Sequence, residues 1–165
     1  MTKRNFLIAI ATAGLALAPA AFADTSTLGV TIAPEATFTA VSATTSLTKG
    51  NTTFGAFGGT TNFTFKIRTT LSGGTGSITV QVTTFGAGGP LVADLAYTCT
   101  AASGTACGSS TGASVGSATG VVSFGADAHS ADAGDAGSTV WTLVDRTDIQ
   151  TGSYSSTATY TISAT

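Results

Sequence analysis

The chain has 165 residues, of which 8% are charged and 42% are hydrophobic, and it contains 21 glycines and a single histidine. Soluble domains usually carry about 25% charged residues. Because the chain has few Lys and Arg side chains, it can neutralise only a few phosphates, which argues against nucleic-acid binding. The shortage of Leu, Glu and Lys argues against a helical bundle, because exposed helix surface is made of those residues.

The first 23 residues have the pattern of a secretory signal peptide. Lys3 and Arg4 form a positive start, Phe6–Leu17 is apolar, and Ala21–Ala23 supplies the small residues that a signal peptidase reads. We expect cleavage before Asp24. The apolar run is too short for a permanent membrane span, so the alternative of an uncleaved anchor is disfavoured. The pattern predicts export through the periplasm, and then secretion or retention at the cell surface.

Residues 24–165 are predicted to form one domain. Without Lys3 and Arg4, four basic residues remain against eight acidic ones, which gives a net charge of 4 − 8 = −4. A mildly acidic domain of this kind has no strong electrostatic preference for a partner.

A short apolar strand is predicted directly behind the cleavage site. Leu28, Val30 and Ile32 alternate with polar or small residues, and Pro34 ends the run because proline cannot donate to a sheet. Such a segment is either the first strand of its own domain or an arm that completes the sheet of a neighbour. Residues 24–34 are therefore a candidate donor arm.

Period-two alternation of apolar and polar residues dominates the rest of the chain. Glycine-rich segments separate the alternating runs, and no segment carries a convincing helical period. The pattern predicts an all-β fold, an antiparallel β-sandwich of immunoglobulin-like type with about seven to nine strands, with a barrel as the alternative. The predicted strands after the arm cover 37–42, 62–68, 78–83, 91–100, 120–125, 138–145 and 154–164.

Cys99 and Cys107 are the only cysteines. Export places them in an oxidising compartment, where small domains use disulfides as staples. A bond between them closes a loop of nine residues, worth about 2.5 kcal/mol on a chain-entropy estimate. The alternative of a redox pair or half a metal site lacks further Cys or His nearby.

Candidate chemistry is sparse. Asp127, Asp132 and Asp135 surround His129 and offer the oxygen ligands that calcium prefers, but they lack the spacing of an EF-hand loop, and we favour a solvated acidic turn. Gly112–Gly116 matches the nucleophile-elbow pattern without the helix that this pattern requires. We predict no enzyme activity and no cofactor, because no set of acid, base and nucleophile is assembled.

The last predicted strand carries a family resemblance. Gly152, Tyr154, Ala158, Tyr160 and Ile162 resemble the closing strand of bacterial chaperone–usher pilins and of the related spore-coat-U-like secreted domains. The segment 51–55 is similar to a Phe-Gly segment of those domains. Ala164 stands where the families usually have an aromatic residue, and their cysteines usually bridge earlier strands.

The resemblance implies a structural subunit of an extracellular assembly such as a pilus, fimbria or coat. In this hypothesis Leu28, Val30 and Ile32 of one subunit enter a groove beside the strand 154–164 of another. The partners are then further copies or other subunits, with a periplasmic chaperone as a further candidate. The alternative function is a monomeric binding module that recognises glycan or protein through the loops 86–90, 101–119 and 125–137.

Overall fold

The computed structural model describes residues 26–108 and 111–165. The predicted signal peptide, residues 1–23, lies outside the described residues. The chain divides into two units, residues 1–31 and 32–165, and every strand belongs to the second. No helix in the described ranges has the length and apolar character needed to cross a membrane.

The second unit is all-β, as predicted, and consists of two antiparallel sheets. Seven strands have six or more residues and three have two residues, and one 3-10 turn spans Val92–Asp94. The strands are β1 (Glu35–Val41), β2 (Thr48–Lys49), β3 (Phe57–Arg68), β4 (Gly76–Val82), β5 (Leu95–Ala101), β6 (Thr105–Ala106), β7 (Thr111–Gly112), β8 (Thr119–Phe124), β9 (Asp135–Leu143) and β10 (Ala158–Ala164).

The larger sheet has the strand order β1-β3-β9-β5-β7, with β2 also paired to β3, and the smaller sheet has the order β10-β4-β8-β6. With the seven long strands lettered A to G in chain order, the orders are A-B-F-D and G-C-E. The constant-type immunoglobulin fold has A-B-E-D and G-F-C instead. The sandwich is therefore confirmed, whereas the immunoglobulin-like strand order is not.

The core lies between the two sheets and follows the alternation seen in the sequence. Phe63, Phe65 and Ile67 of β3 face Ile78 and Val80 of β4, and each of these side chains is at most 4% exposed. The intervening residues of both strands face outward because successive side chains of a strand point to opposite faces. Period-two patterning thus identified which side chains form the core.

The polar groups of Trp141 and Tyr97 inside the sandwich are paired. The indole N–H of Trp141 donates to Thr61 Oγ1 at 2.9 Å, and Thr61 Oγ1 also lies 2.7 Å from Thr45 Oγ1. The hydroxyl of the fully buried Tyr97 donates to Thr119 Oγ1 at 2.6 Å. Because a buried polar group without a partner destabilises a fold, these bonds make the aromatic residues acceptable in the core.

The predicted disulfide is confirmed. Cys99 lies in β5 of the larger sheet, and Cys107 directly follows β6 of the smaller sheet, with 5.3 Å between their Cα atoms. The backbone N–H of Cys107 donates to the carbonyl of Val121 at 2.8 Å and so extends the pairing of β6 with β8. The bond therefore links the two sheets at the side of the sandwich where both end in short strands.

The bounds of several predicted strands differ from the structure: β3 begins at Phe57 rather than at Asn62, and β9 begins at Asp135 rather than at Ser138. Leu28–Ile32 forms no strand, because a strand needs a paired edge and none is supplied to it here. Residues 91–94, predicted as the start of β5, lie before that strand, and Val92–Asp94 form the 3-10 turn. The closing strand begins at Ala158 rather than at Tyr154.

Candidate strand-addition edge

Strand β10 forms one edge of the smaller sheet. It pairs with β4 over seven consecutive residues, from Ala158 opposite Val82 to Ala164 opposite Gly76, without a register shift. In the described part of the chain no other strand pairs with β10. Its second side is therefore an unpaired edge.

The hydrogen bonds to β4 show which backbone groups point to that edge. The carbonyl of Thr157 accepts from Thr83 N–H at 2.9 Å, and Thr165 N–H donates to the carbonyl of Thr75 at 2.8 Å. Antiparallel pairs alternate between residues that bond to the neighbour and residues that do not. The odd-numbered residues thus bond to β4, and the even-numbered ones direct N–H and C=O outward. These are Ala158, Tyr160, Ile162 and Ala164.

The other long edge strand is protected, and this distinguishes it from β10. Strand β1 follows Pro34, begins with the charged Glu35 and has a register shift between Phe38 and Ala40. Proline, charge and bulges are the features by which sheet proteins prevent pairing with another chain. Strand β10 contains no proline and no charged residue.

The two remaining edges end in short strands. Strands β6 and β7 have two residues each, and the disulfide at Cys107 follows β6 directly. Very short edge strands are also a protection against pairing. The edge of β10 is therefore the one long, regular and uncharged edge among the described strands.

Behind this edge lies a cluster of aromatic side chains. The ring of Tyr160 is 5.7 Å from that of Phe63 and 6.4 Å from that of Phe38, measured between centroids. The Tyr160 hydroxyl donates to Thr139 Oγ1 at 2.8 Å. Burial raises the pKa of Tyr160, and the hydrogen bond to Thr139 opposes this shift in part. Half-buried apolar side chains thus line the inner side of the edge.

The predicted arm is exposed. Leu28, Val30 and Ile32 are 94%, 85% and 63% exposed. Large aliphatic side chains are usually buried, so three of them exposed in alternation are unusual. Together they form an exposed apolar surface.

An arginine fixes the point where the arm meets β1. The Nε–H of Arg68 donates to the carbonyl of Ala33 at 3.0 Å, and Nη2 donates to the Glu35 carboxylate at 3.0 Å. The two bonds lie on either side of Pro34. They orient the backbone just before β1, which the sequence alone did not indicate.

Gly152 and Tyr154 lie before β10, in a loop. The Tyr154 hydroxyl donates to the carbonyl of Gln150 at 2.9 Å, and its ring lies against Gly89, where an added Cβ would come within 2.6 Å of it. The ring therefore packs on the glycine-rich loop 86–90 instead of continuing the alternation. Of the five residues that carried the family resemblance, Ala158, Tyr160 and Ile162 belong to β10.

The acidic loop does not assemble a metal site. In the part of the chain that the structure describes, no group of three or more His, Cys, Asp or Glu residues could hold a metal ion, so Asp127, Asp132 and Asp135 are not brought together as ligands. Asp135 Oδ1 accepts from Ala131 N–H at 3.1 Å, and the carbonyl of Asp127 lies 2.9 Å from His129 Nδ1.

The elbow-like segment leads into a strand. Ser114 follows β7, and its carbonyl accepts from Val82 N–H at 3.3 Å. Its Oγ accepts from Ser117 N–H at 3.4 Å, and the chain then enters β8. The strand-to-helix turn that presents a nucleophilic serine is therefore missing at this position.

A charged depression was not foreseen from the sequence. Its volume is about 620 Å³, and it is open to solvent. Its charged or titratable lining residues come from β1, β3 and the loop after β8: Glu35, Lys66, Arg68, His129 and Asp132. The residues are far apart in sequence, and they are brought together by the pairing of β1 with β3 and by the bridge between Arg68 and His129.

Comparisons with known proteins gave no match: no family model, no curated protein and no solved structure is significantly similar to this chain.

Proposed function

We propose that this protein is an exported structural subunit of a bacterial extracellular assembly, such as a pilus, fimbria or coat, and that its subunits join by β-strand addition. The observation that carries the proposal is the unpaired, uncharged edge of β10 in a protein whose other edges are protected. The disulfide is compatible with the oxidising compartment that export implies.

In the proposed contact, the arm of one subunit pairs with β10 of the next. The outward backbone groups of Ala158, Tyr160, Ile162 and Ala164 supply hydrogen-bond partners for it. Main-chain bonds give such contacts their strength, and alternate side chains give them specificity. The arm's aliphatic side chains then extend the apolar inner side of the edge.

Burial of the arm's side chains and its backbone hydrogen bonds would stabilise this contact against the cost of ordering the arm. Full burial of one Val, Leu or Ile side chain contributes about 1.5–3 kcal/mol, and the arm carries three such side chains. Ordering the arm opposes association by about 1–2 kcal/mol per residue. Backbone hydrogen bonds along the edge add about 0.5–1.5 kcal/mol each, whereas the loss of translational and rotational freedom opposes association by about 4–15 kcal/mol.

Gel electrophoresis of protein purified from its natural source tests the proposal. Strand-linked polymers persist in detergent until they are heated, so unheated samples should give a ladder and boiled samples a monomer band. Replacement of Leu28, Val30 and Ile32 by Ser should abolish the ladder. The matched control replaces Leu71 and Leu91, which are 75% and 55% exposed, by Ser and should keep it. A monomer band from unheated natural material would contradict the proposal.

A monomeric binding module is the second candidate, and the charged depression is the observation that favours it. Lys66, Arg68 and His129 supply hydrogen-bonding groups in one concavity that is open to solvent. On this alternative, Lys66→Ala would weaken ligand binding without altering electrophoretic behaviour. The polymer ladder separates the two candidates.

A further inference from the structure

The outer face of the smaller sheet consists mainly of an array of hydroxyl-bearing side chains, with the exposed Gln81 of β4 among them. One row crosses all four strands, because Ser163 pairs with Ser77, Ser77 with Ser123, and Ser123 with Thr105. A neighbouring row contains Thr161 opposite Thr79. These side chains face away from the core, since the residues that alternate with them in β4 are buried.

The array continues beyond the ends of the strands and is held in place by hydrogen bonds. Ser77 Oγ lies 3.2 Å from Ser163 Oγ, and Thr75 Oγ1 lies 3.0 Å from Thr165 Oγ1. Bonds between hydroxyls on adjacent strands restrict their rotamers. The positions of the oxygen atoms are therefore set by the sheet.

The face also lacks charge and aromatic rings. Each charged side chain of the described residues lies outside the four strands of the smaller sheet. The aromatic residues of these strands, Phe124 and Tyr160, belong to the core side of the sheet. The larger sheet differs, because its outer face carries Glu35, Lys66 and Arg68.

The pairing of β10 with β4 sets the repeat of the array, whereas a register shift between Ile78 and Thr79 interrupts this repeat between β4 and β8. Neighbouring strands lie about 4.8 Å apart, and alternate residues of one strand are about 6.7 Å apart. Both repeats are close to distances between water oxygen atoms on the faces of hexagonal ice. Charged groups orient water around themselves and disturb such a lattice, whereas hydroxyls both donate to and accept from lattice water.

We propose that the outer face of the smaller sheet binds ice. A polysaccharide is the less favoured ligand, because sugar rings are commonly held by exposed aromatic side chains and this face has none. Thr methyl groups beside the hydroxyls add apolar contact with the solid surface. The inference does not depend on strand addition, since the outer face and the edge of β10 are separate surfaces.

Partition into slowly growing ice, together with thermal hysteresis, tests this inference on the processed full-length chain. We expect the wild-type protein to enter the ice and to depress the freezing point below the melting point. Thr79→Lys places a charge in the centre of the array, and Ser123→Lys does so in another strand. Thr79→Lys and Ser123→Lys should each be excluded from the ice and should each show no thermal hysteresis. Thr98→Lys, at an exposed position of β5 in the larger sheet, is the matched control and should keep them.

Folding of each variant is checked by circular dichroism, and the two array variants provide independent readings if one of them fails to fold. Exclusion of the wild type from ice, at the level of an inert protein, would overturn the inference. Equal retention of the wild type and both array variants would also overturn it. Binding to crystalline cellulose with exclusion from ice would assign the face to a polysaccharide instead.

Discussion

Single residues decide how closely the two sheets approach each other beside the disulfide. Gly104 has a positive φ of 79°, which side chains disfavour, and a Cβ there would lie 2.6 Å from the Phe124 ring. The tight turn that leads β5 into β6 thus requires glycine for two reasons, backbone conformation and space.

We expect Gly104→Ala to lower the free energy of unfolding by about 2–4 kcal/mol, the sum of a backbone and an overpacking effect. Gly73→Ala is the matched control, because Gly73 has a φ of 74° but no atom within 4 Å of an added Cβ. Gly73→Ala should lower the free energy of unfolding only by the part that comes from backbone strain. Urea unfolding of both variants measures the difference, and equal losses would contradict the steric role of the Phe124 ring.

Tyr160 links the stability of the core to alkaline pH. Its pKa is raised above the ordinary value of 10.0 by burial, so the folded protein holds the phenol proton more tightly than the unfolded chain does. The stability due to this proton is complete below pH 10.0 and is lost as the pH rises through the raised value.

Tyr160→Phe should therefore be less stable than the wild type by about 1 kcal/mol at neutral pH, because the bond to Thr139 is lost. Above pH 10.0 the wild type should lose stability that the variant keeps, so the difference between their free energies of unfolding should narrow. Urea unfolding across the alkaline range measures it. A gap that is constant with pH would show that this tyrosine has no part in the alkaline loss.

At the scale of elements, the edge of β10 allows a test that leaves the monomer intact. The N–H of Ala164 points to the unpaired side, so Ala164→Pro removes no bond to β4 but removes a donor from the edge. We expect a folded monomer with a weakened polymer ladder. Ser163→Pro is the contrasting variant, since it removes a bond to β4 and should lower the unfolding temperature. An undiminished ladder from Ala164→Pro would argue against pairing at this edge.

The sequence predicted some of these elements correctly and others wrongly, and the difference has physical reasons. In β3 and β4, large apolar residues alternate strictly with polar ones and define one buried face. The place of each strand in the chain and the side that faces the core could therefore be predicted from the sequence. Leu28–Ile32 has the same alternation but no strand, because periodicity reports which face would be buried and not whether a neighbour exists. The alternating pattern of β10 includes Tyr154 in the sequence, but in the structure Tyr154 lies before the strand, because its ring packs against Gly89.

At the scale of the whole molecule, the strand order was beyond the reach of the sequence. Alternation cannot tell that β3 pairs with β9 rather than with β8, because both candidates carry one apolar face. The unpaired edge of β10 is a consequence of that order, as is the meeting of Lys66 with His129 in one depression. The cysteines were easier to interpret, since only two exist.

The disulfide acts on the whole domain because it joins the two sheets. Reduction, or the double change Cys99→Ser and Cys107→Ser, should lower the free energy of unfolding by about 2–3 kcal/mol. Urea unfolding with and without reductant measures this. The double variant is the control for reductant effects, because it should not respond to reductant at all. A reductant-insensitive wild type would indicate that the bond contributes nothing to stability.

Among the described strands, the contrast between one unpaired edge and three protected ones has a consequence for the shape of any assembly. A subunit with a single acceptor edge and a single donor arm has a valence of two, so growth is linear and cannot branch into a network. Each filament then ends in one unfilled β10 and one unused arm. A molecule that covers only the β10 edge, without offering an arm of its own, would terminate the filament at that end.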